Sequence, residues 1–286
     1  MKFSVYQNSR IGGRKYNQDR AAYAYTDEAL LLVLADGMGG HLHGELAAEI
    51  TIQTYMDAFE RAARLRIAEP DKFLADTMQE AHNAIVSFAH EKQLGGNPGT
   101  TCVAALVQDG KVCWAHAGDS RLYLLRSGET AAVTHDHSVV QQWADWGIIS
   151  ADEMKTHPDR NKITNCLGGV GELFYSEPSS CMLLQSGDVL LLCSDGLWSP
   201  LVDKEIAASF LPAPLETILD KLMDLAVERE GSRADNTTAV VARWGDSEEA
   251  HVAPEPVCVE MALDELESAS DILGRTRAGM NAFKSG

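Results

Sequence analysis

Apolar residues follow two rhythms along this chain. Near the start, short runs alternate with turns: residues 2–7, 20–26 and 29–35 read as strands, separated by Gly12-Gly13 and Thr26-Asp27-Glu28. The period then lengthens. Residues 44–66 and 71–93 carry apolar positions at helical spacing, Ile52, Tyr55, Met56 and Phe59 in the first block and Phe73, Met78, Ala81, Ile85 and Phe88 in the second. Gly95-Gly96-Asn97-Pro98-Gly99 ends the second helix. From 100 to 134 the strand pattern returns, with Asp109-Gly110 and Ser127-Gly128 each between runs of β-formers, so this stretch reads as one antiparallel meander. Residues 136–165 are polar and aromatic with weak helical periodicity, which predicts an inserted flap outside the core. Strands resume at 180–194, a helical block covers 203–230, and a last strand runs from Thr237 to Trp244. Strands interrupted by helix pairs predict an α+β layered fold rather than βαβ winding.

After Gly245 the pattern stops. Residues 246–286 hold nine acids and three bases, with Pro254 and Pro256 near their start and a single stripe of Leu263, Leu266 and Leu273. The expected organisation is therefore one domain over 1–245 and a flexible acidic tail with room for one short amphipathic helix. Composition narrows the class. The chain has 286 residues, 45% of them hydrophobic, which suffices for a substantial core. A formal net charge of −18 repels polyanions, so nucleic acid is excluded as a partner. The six cysteines form no CxxC pair and mostly sit in apolar stretches; they are expected to be reduced core residues. No uncharged apolar run reaches the roughly 18 residues of a membrane span and no secretory h-region follows Met1, so the cytoplasm is the expected compartment; a monomer is the separate expectation for its assembly.

The candidate chemistry lies where strands end. Leu30 to Ala35 and Val189 to Cys193 are buried-strand runs, and they lead into Asp36-Gly37-Met38-Gly39-Gly40-His41 and Ser194-Asp195-Gly196. A carboxylate at a strand end is rigidly held, and a following glycine lets the backbone turn and bring its own carbonyl close to an ion. A third aspartate stands in Asp235-Asn236 before the last strand. Taken singly, each of these is an ordinary turn. If they converge, Asp36, Asp195, Asp235 and the Gly37 carbonyl make an oxygen-rich site for Mg²⁺ or Mn²⁺. His41 and His43 lack a third nitrogen or sulfur ligand at zinc spacing. Arg14, five residues before Asp19, is suited to clamp a phosphate, and Gly118-Asp119-Ser120-Arg121 puts a further carboxylate at a strand end.

Six motifs occur in a telling order: Arg14 to Asp19, Ala35 to His41, Gly99-Thr100-Thr101, Gly118 to Arg121, Ser194-Asp195-Gly196 and Asp235 to Thr238. Their order and spacing resemble the PPM family of metal-dependent serine/threonine protein phosphatases, the 2C type, over about residues 4–244. The resemblance implies a four-layer α-β-β-α sandwich, with two central antiparallel sheets flanked by antiparallel helix pairs. It makes Asp36 the carboxylate bridging two metals, Gly37 a carbonyl ligand, and Asp195 and Asp235 the remainder of the metal shell. Asp19 corresponds to the residue that holds a metal-bound water, Arg14 to the phosphate binder, and Asp119 to a position that helps hold a third metal. Asn236 matches the motif in a role such as orienting Asp235. Residues 136–165 are similar to the flap beside the active site of bacterial members.

The implied activity is hydrolysis of phosphoserine and phosphothreonine in proteins, opposing a serine/threonine kinase, with two or three Mn²⁺ or Mg²⁺ ions as cofactors. Ions are needed for a physical reason: a phosphate dianion meeting a cluster of aspartates is repelled until metals reverse the local charge. Two ions also lower the pKa of a shared water and stabilise the phosphoryl oxygens during in-line attack. The chain has no Cys-x5-Arg loop and no Gly-x-Ser-x-Gly elbow. One departure stands out. Animal-type members carry a histidine where this chain has Met38, which leaves the general acid unassigned, with His41 the nearby candidate. Competing readings are a noncatalytic binding module of the same fold and a phosphatase dedicated to one regulatory or secretion protein.

Overall fold

The computed structural model describes residues 1–38, 43–62, 66–94, 96–169, 181–211 and 213–245; His41 and the leucine stripe of the tail lie outside the described residues. The strands are β1 (Phe3–Arg10), β2 (Asp19–Tyr25), β3 (Ala29–Met38), β4 (Gly99–Thr100), β5 (Cys102–Gln108), β6 (Lys111–Ala117), β7 (Arg121–Arg126), β8 (Glu129–Val133), β9 (Leu167–Gly168), β10 (Met182–Leu183), β11 (Val189–Cys193) and β12 (Thr237–Trp244). The helices are α1 (Gly44–Ala62), α2 (Pro70–Glu91), α3 (Val139–Asp145), α4 (Ala151–Thr156), α5 (Asp195–Trp198), α6 (Asp203–Ser209) and α7 (Leu215–Glu230).

The continuous apolar runs are explained by burial on both faces. One sheet has the order β1-β12-β11-β7-β8; the other has β10-β6-β5-β3-β4-β9, with β2 beside β3. Between the sheets, Leu30, Leu32 and Leu34 meet Leu122, Leu124, Leu190 and Leu192. The alternate residues Leu31, Val33 and Ala35 turn the other way, onto Tyr55, Phe59, Met78 and Ile85 of α1 and α2. On the far side, Leu191, Cys193 and Val241 pack against Leu219, Leu222 and Met223 of α7. Three cores in series make four layers, helix on sheet on sheet on helix.

The two hairpin turns are where they were expected, and their central residues adopt positive φ: 54° and 69° at Asp109 and Gly110, 52° and 79° at Ser127 and Gly128. The single meander is corrected. β5 and β6 belong to one sheet while β7 and β8 belong to the other, so the chain changes sheets at Gly118-Asp119-Ser120. Alternation of period 2 looks the same whichever sheet a strand joins, and for that reason the crossing left no mark on the pattern. It is this crossing that carries Asp119 into the cleft.

The cysteine expectation is corrected as well. Cys113 and Cys181 form a disulfide, while Cys102, Cys166 and Cys193 are free. β10 pairs with β6 in a register that sets Met182 opposite Val112, and this places Cys181 across from Cys113 with 4.2 Å between their Cα atoms. A separation of 68 residues hides that neighbourhood in the sequence. Within residues 136–165, α3 buries only Val140 and α4 buries nothing. Both helices start on a serine cap, Ser138 and Ser150, the latter in a capping box with Glu153.

Candidate metal centre

Strand pairing assembles the centre. Asp19 and Asp36 are direct partners in the β2–β3 ladder. Asp36 is held through its backbone: its carbonyl accepts from the Thr101 N–H and the Thr100 hydroxyl, both at 2.9 Å, and its N–H donates to Thr101 Oγ1 at 3.0 Å. Gly37 is a glycine because the chain leaves no room; a Cβ there would lie 2.4 Å from the Gly44 carbonyl oxygen. Asp195 opens the short helix α5, and a Cβ on the following Gly196 would meet the Asn236 carbonyl oxygen at 2.1 Å. So the two Asp-Gly pairs mark close backbone approaches.

Ser194 ties the two sheets together at this point. Its fully buried hydroxyl donates to Asp19 Oδ2 at 2.8 Å and accepts from the Thr238 N–H at 3.0 Å. The other oxygen of Asp19, Oδ1, is buried with no hydrogen-bond partner. Asp235 accepts from the Asn236 N–H through Oδ1 at 2.8 Å and from Arg14 Nη2 through Oδ2 at 2.5 Å. The Asn236 side chain does something else. It accepts from the Gln18 N–H and donates to the carbonyls of Ile11 and Tyr16, at 2.9, 2.9 and 3.0 Å, pinning the loop that carries Arg14. Asp119 is set by its carbonyl, which accepts from Trp198 Nε1 at 2.9 Å. Over the Trp198 ring, at 3.6 Å, lies the guanidinium of Arg121, which grips both oxygens of Asp136 at 2.9 and 2.8 Å.

The carboxylates feel one another. Burial, then the charges of Asp19, Asp195, Asp119 and Asp235, push Asp36 well above the usual carboxylate range. Burial, Asp119, Asp235 and Asp19 push Asp195 the same way, with Arg14 opposing. Asp19 is pushed up to about 6 by burial against the Ser194 hydrogen bond, and Asp119 to about 6 by burial and Asp136. Asp36 and Asp195 remain partly open to the cleft. Among the described residues, no three His, Cys, Asp or Glu side chains close into a cation cage as they stand. The donor set nonetheless fits hard divalent cations: it is all oxygen, its charges repel one another, and the orphaned Asp19 Oδ1 needs a partner. Beside the centre a cavity of about 590 Å³ opens between Asp119, Asp195 and Trp198 on one side and Val140, Ala144 and Met154 of the flap on the other.

The family profile described as Protein phosphatase 2C matches residues 7–233. The chain is an enzyme of the protein phosphatase 2C family. The serine/threonine phosphatase stp of Listeria innocua is 34% identical over 195 residues, 68% of this chain and 77% of that protein. The crystal structure of the serine/threonine phosphatase Stp1 from Staphylococcus aureus superposes with a TM-score of 0.79 at 31% identity, covering 86% of this chain and 96% of that one. The catalytic domain of the serine/threonine protein phosphatase PstP, solved with two manganese ions, superposes with a TM-score of 0.72 at 30% identity, covering 84% and 97%. The four-layer sandwich is that of these protein phosphatase 2C structures. Within it, Arg14, Asp19, Asp36, Asp119, Asp195 and Asp235 lie around one cleft, while His41 lies outside the described residues. Ser194, Arg121 and the Thr100-Thr101 pair stood inside recognised motifs without an assigned role. Trp198 and Asp136 carried no signal in the sequence.

Proposed function

We propose that the chain is a metal-dependent phosphatase that removes phosphate from phosphoserine and phosphothreonine in proteins and so reverses a serine/threonine kinase, acting as a cytoplasmic monomer. The observation that carries this reading is the meeting of Asp19, Asp36, Asp119, Asp195 and Asp235 in one cleft with a buried, unpartnered oxygen on Asp19. In this reading Asp36, the Gly37 carbonyl, Asp195 and Asp235 hold two divalent cations, and Asp119 helps hold a third. Bound cations supply the positive charge that admits a phosphate dianion and that makes water acidic enough to react near neutral pH.

Every other part falls to the protein. Asp19, oriented by Ser194, presents its free oxygen to the centre and positions a water. Arg14, on the exposed rim, binds the phosphate oxygens as the cationic fork of the site. Ser194 is committed to Asp19 and Thr238, and burial pushes the Cys193 thiol far up, so neither supplies a nucleophile. Among the described residues no helix is long and apolar enough to cross a membrane. Hydrolysis of phosphothreonine, phosphoserine and phosphotyrosine peptides, with Mn²⁺, with Mg²⁺ and with chelator, tests the proposal. Turnover of the first two that vanishes in chelator supports it; metal-independent turnover contradicts it.

A further inference from the structure

Both oxygens of Asp235 are already engaged. Oδ1 takes a backbone N–H, that of Asn236, at 2.8 Å, and Oδ2 takes Arg14 Nη2 at 2.5 Å. These two partners differ in what it takes to remove them. The Asn236 N–H sits at the entry to β12, and its side chain is tied to three backbone groups of the 11–18 loop. Arg14 is a long side chain, 56% exposed, with Asp235 as its side-chain partner among the described residues. Its loop is built against the same segment: the Gly13 N–H donates to the Ala234 carbonyl at 2.8 Å, and a Cβ on Gly12 would meet the Asp235 carbonyl oxygen at 2.3 Å. Arg14 can therefore leave Asp235 by rotating its own side chain, with no movement of the loop. Its root stays where it is.

We propose that Arg14 is a resident counter-ion of the metal centre, competing with the divalent cation for Asp235 and released toward the phosphate when the cation takes that carboxylate. Resting on the metallophosphatase reading above, this gives one guanidinium two successive partners of the same chemistry, a carboxylate and then a phosphate. The pair spares Asp235 an unbalanced charge among four other aspartates while no cation is bound. It also makes cation loading arm the phosphate clamp, since an Arg14 held by Asp235 is not available to the substrate. Coupling of this kind is reciprocal: what favours the released arginine favours the cation.

The consequence has opposite signs for two ligands. A half-exposed charge-assisted pair gives a modest effect, so Arg14→Ala is expected to tighten Mn²⁺ binding roughly 3- to 10-fold and to weaken binding of inorganic phosphate to the Mn²⁺-loaded protein roughly 10-fold or more. Calorimetric titration of Mn²⁺ into the phosphate-free full chain reads the first effect without any turnover. A double-mutant cycle separates the pair from the general field of a positive charge: in an Asp235→Asn background, Arg14→Ala is expected to change Mn²⁺ affinity less than about twofold. Tightening that disappears in that background supports the proposal. Unchanged or weakened Mn²⁺ binding by Arg14→Ala overturns it, as does tightening that persists undiminished with Asp235→Asn. Failure of the wild type to bind Mn²⁺ at all would overturn the metallophosphatase reading, and this inference with it.

Discussion

Replacing Asp119 by Asn probes what it costs to bury a carboxylate beside the cleft. Asp119 is 7% exposed, and burial together with Asp136 raises its carboxyl to about 6. An ordinary unfolded aspartate titrates at about 3.9. A raised value in the folded state stabilises the fold below the unfolded pKa, and that contribution is lost as pH rises through the folded one. Between pH 5 and pH 7.5 the loss integrates to about 1.4 kcal/mol for this group. The raw pH profile of the wild type will not display it, because burial lowers the pKa values of His82, His116 and His137 and their contribution runs the other way. The difference between wild type and Asp119→Asn cancels those histidines. In chelator, urea unfolding should show the variant gaining at least about 1.4 kcal/mol more relative to wild type at pH 7.5 than at pH 5, because losing the Asp119 charge also eases Asp36 and Asp195. Saturating Mn²⁺ should stabilise the wild type and shrink that advantage. A variant whose relative stability is the same at both pH values would refute the argument that burial and Asp136 raise the Asp119 carboxyl.

Three further outcomes follow from the geometry. Ser194→Ala leaves Asp19 and the Thr238 N–H each short of a buried partner; a loss of about 1–3 kcal/mol in urea unfolding is expected, with Mn²⁺ affinity lowered roughly tenfold by calorimetry. Gly196→Ala forces a Cβ to within 2.1 Å of the Asn236 carbonyl oxygen, so turnover of a small aryl phosphate should fall by at least about a hundredfold, while Gly96→Ala, with open space around it and no positive φ, should not affect turnover. Removal of residues 246–286 should leave aryl phosphate turnover within about twofold of the full chain and the fold intact, as circular dichroism would show; loss of folding would refute a domain boundary at Gly245.

How much of this was legible depended on whether a signal was local. The run Leu30 to Ala35 announced a strand because both of its faces are buried, and Thr237 to Trp244 announced another with the bounds the structure gives. Asp109-Gly110 and Ser127-Gly128 were legible because a tight hairpin turn demands positive φ at adjacent residues. Partnership was not local. Nothing in the alternation told β6 and β7 apart, although they belong to different sheets, and nothing near Cys113 pointed 68 residues ahead to Cys181. The same division runs through the site. Asp36 and Asp195 were marked by the glycine that follows each, but the Ser194 bond to Asp19 and the Arg14 pair with Asp235 join residues 175 and 221 apart. Spacing alone did not give these residues a common function; the order of the six motifs did, through resemblance.

The central claim is that these carboxylates hold the metals that hydrolyse a phosphorylated serine or threonine. Hydrolysis of a phosphothreonine peptide by the wild type and by Asp36→Asn and Asp195→Asn, in Mn²⁺ and in chelator, tests it most directly. The account predicts turnover by the wild type in Mn²⁺ alone, and a loss of at least about a thousandfold in either variant while each stays folded. Turnover by a folded wild type in chelator, or variants that keep wild-type rates in Mn²⁺, would contradict it.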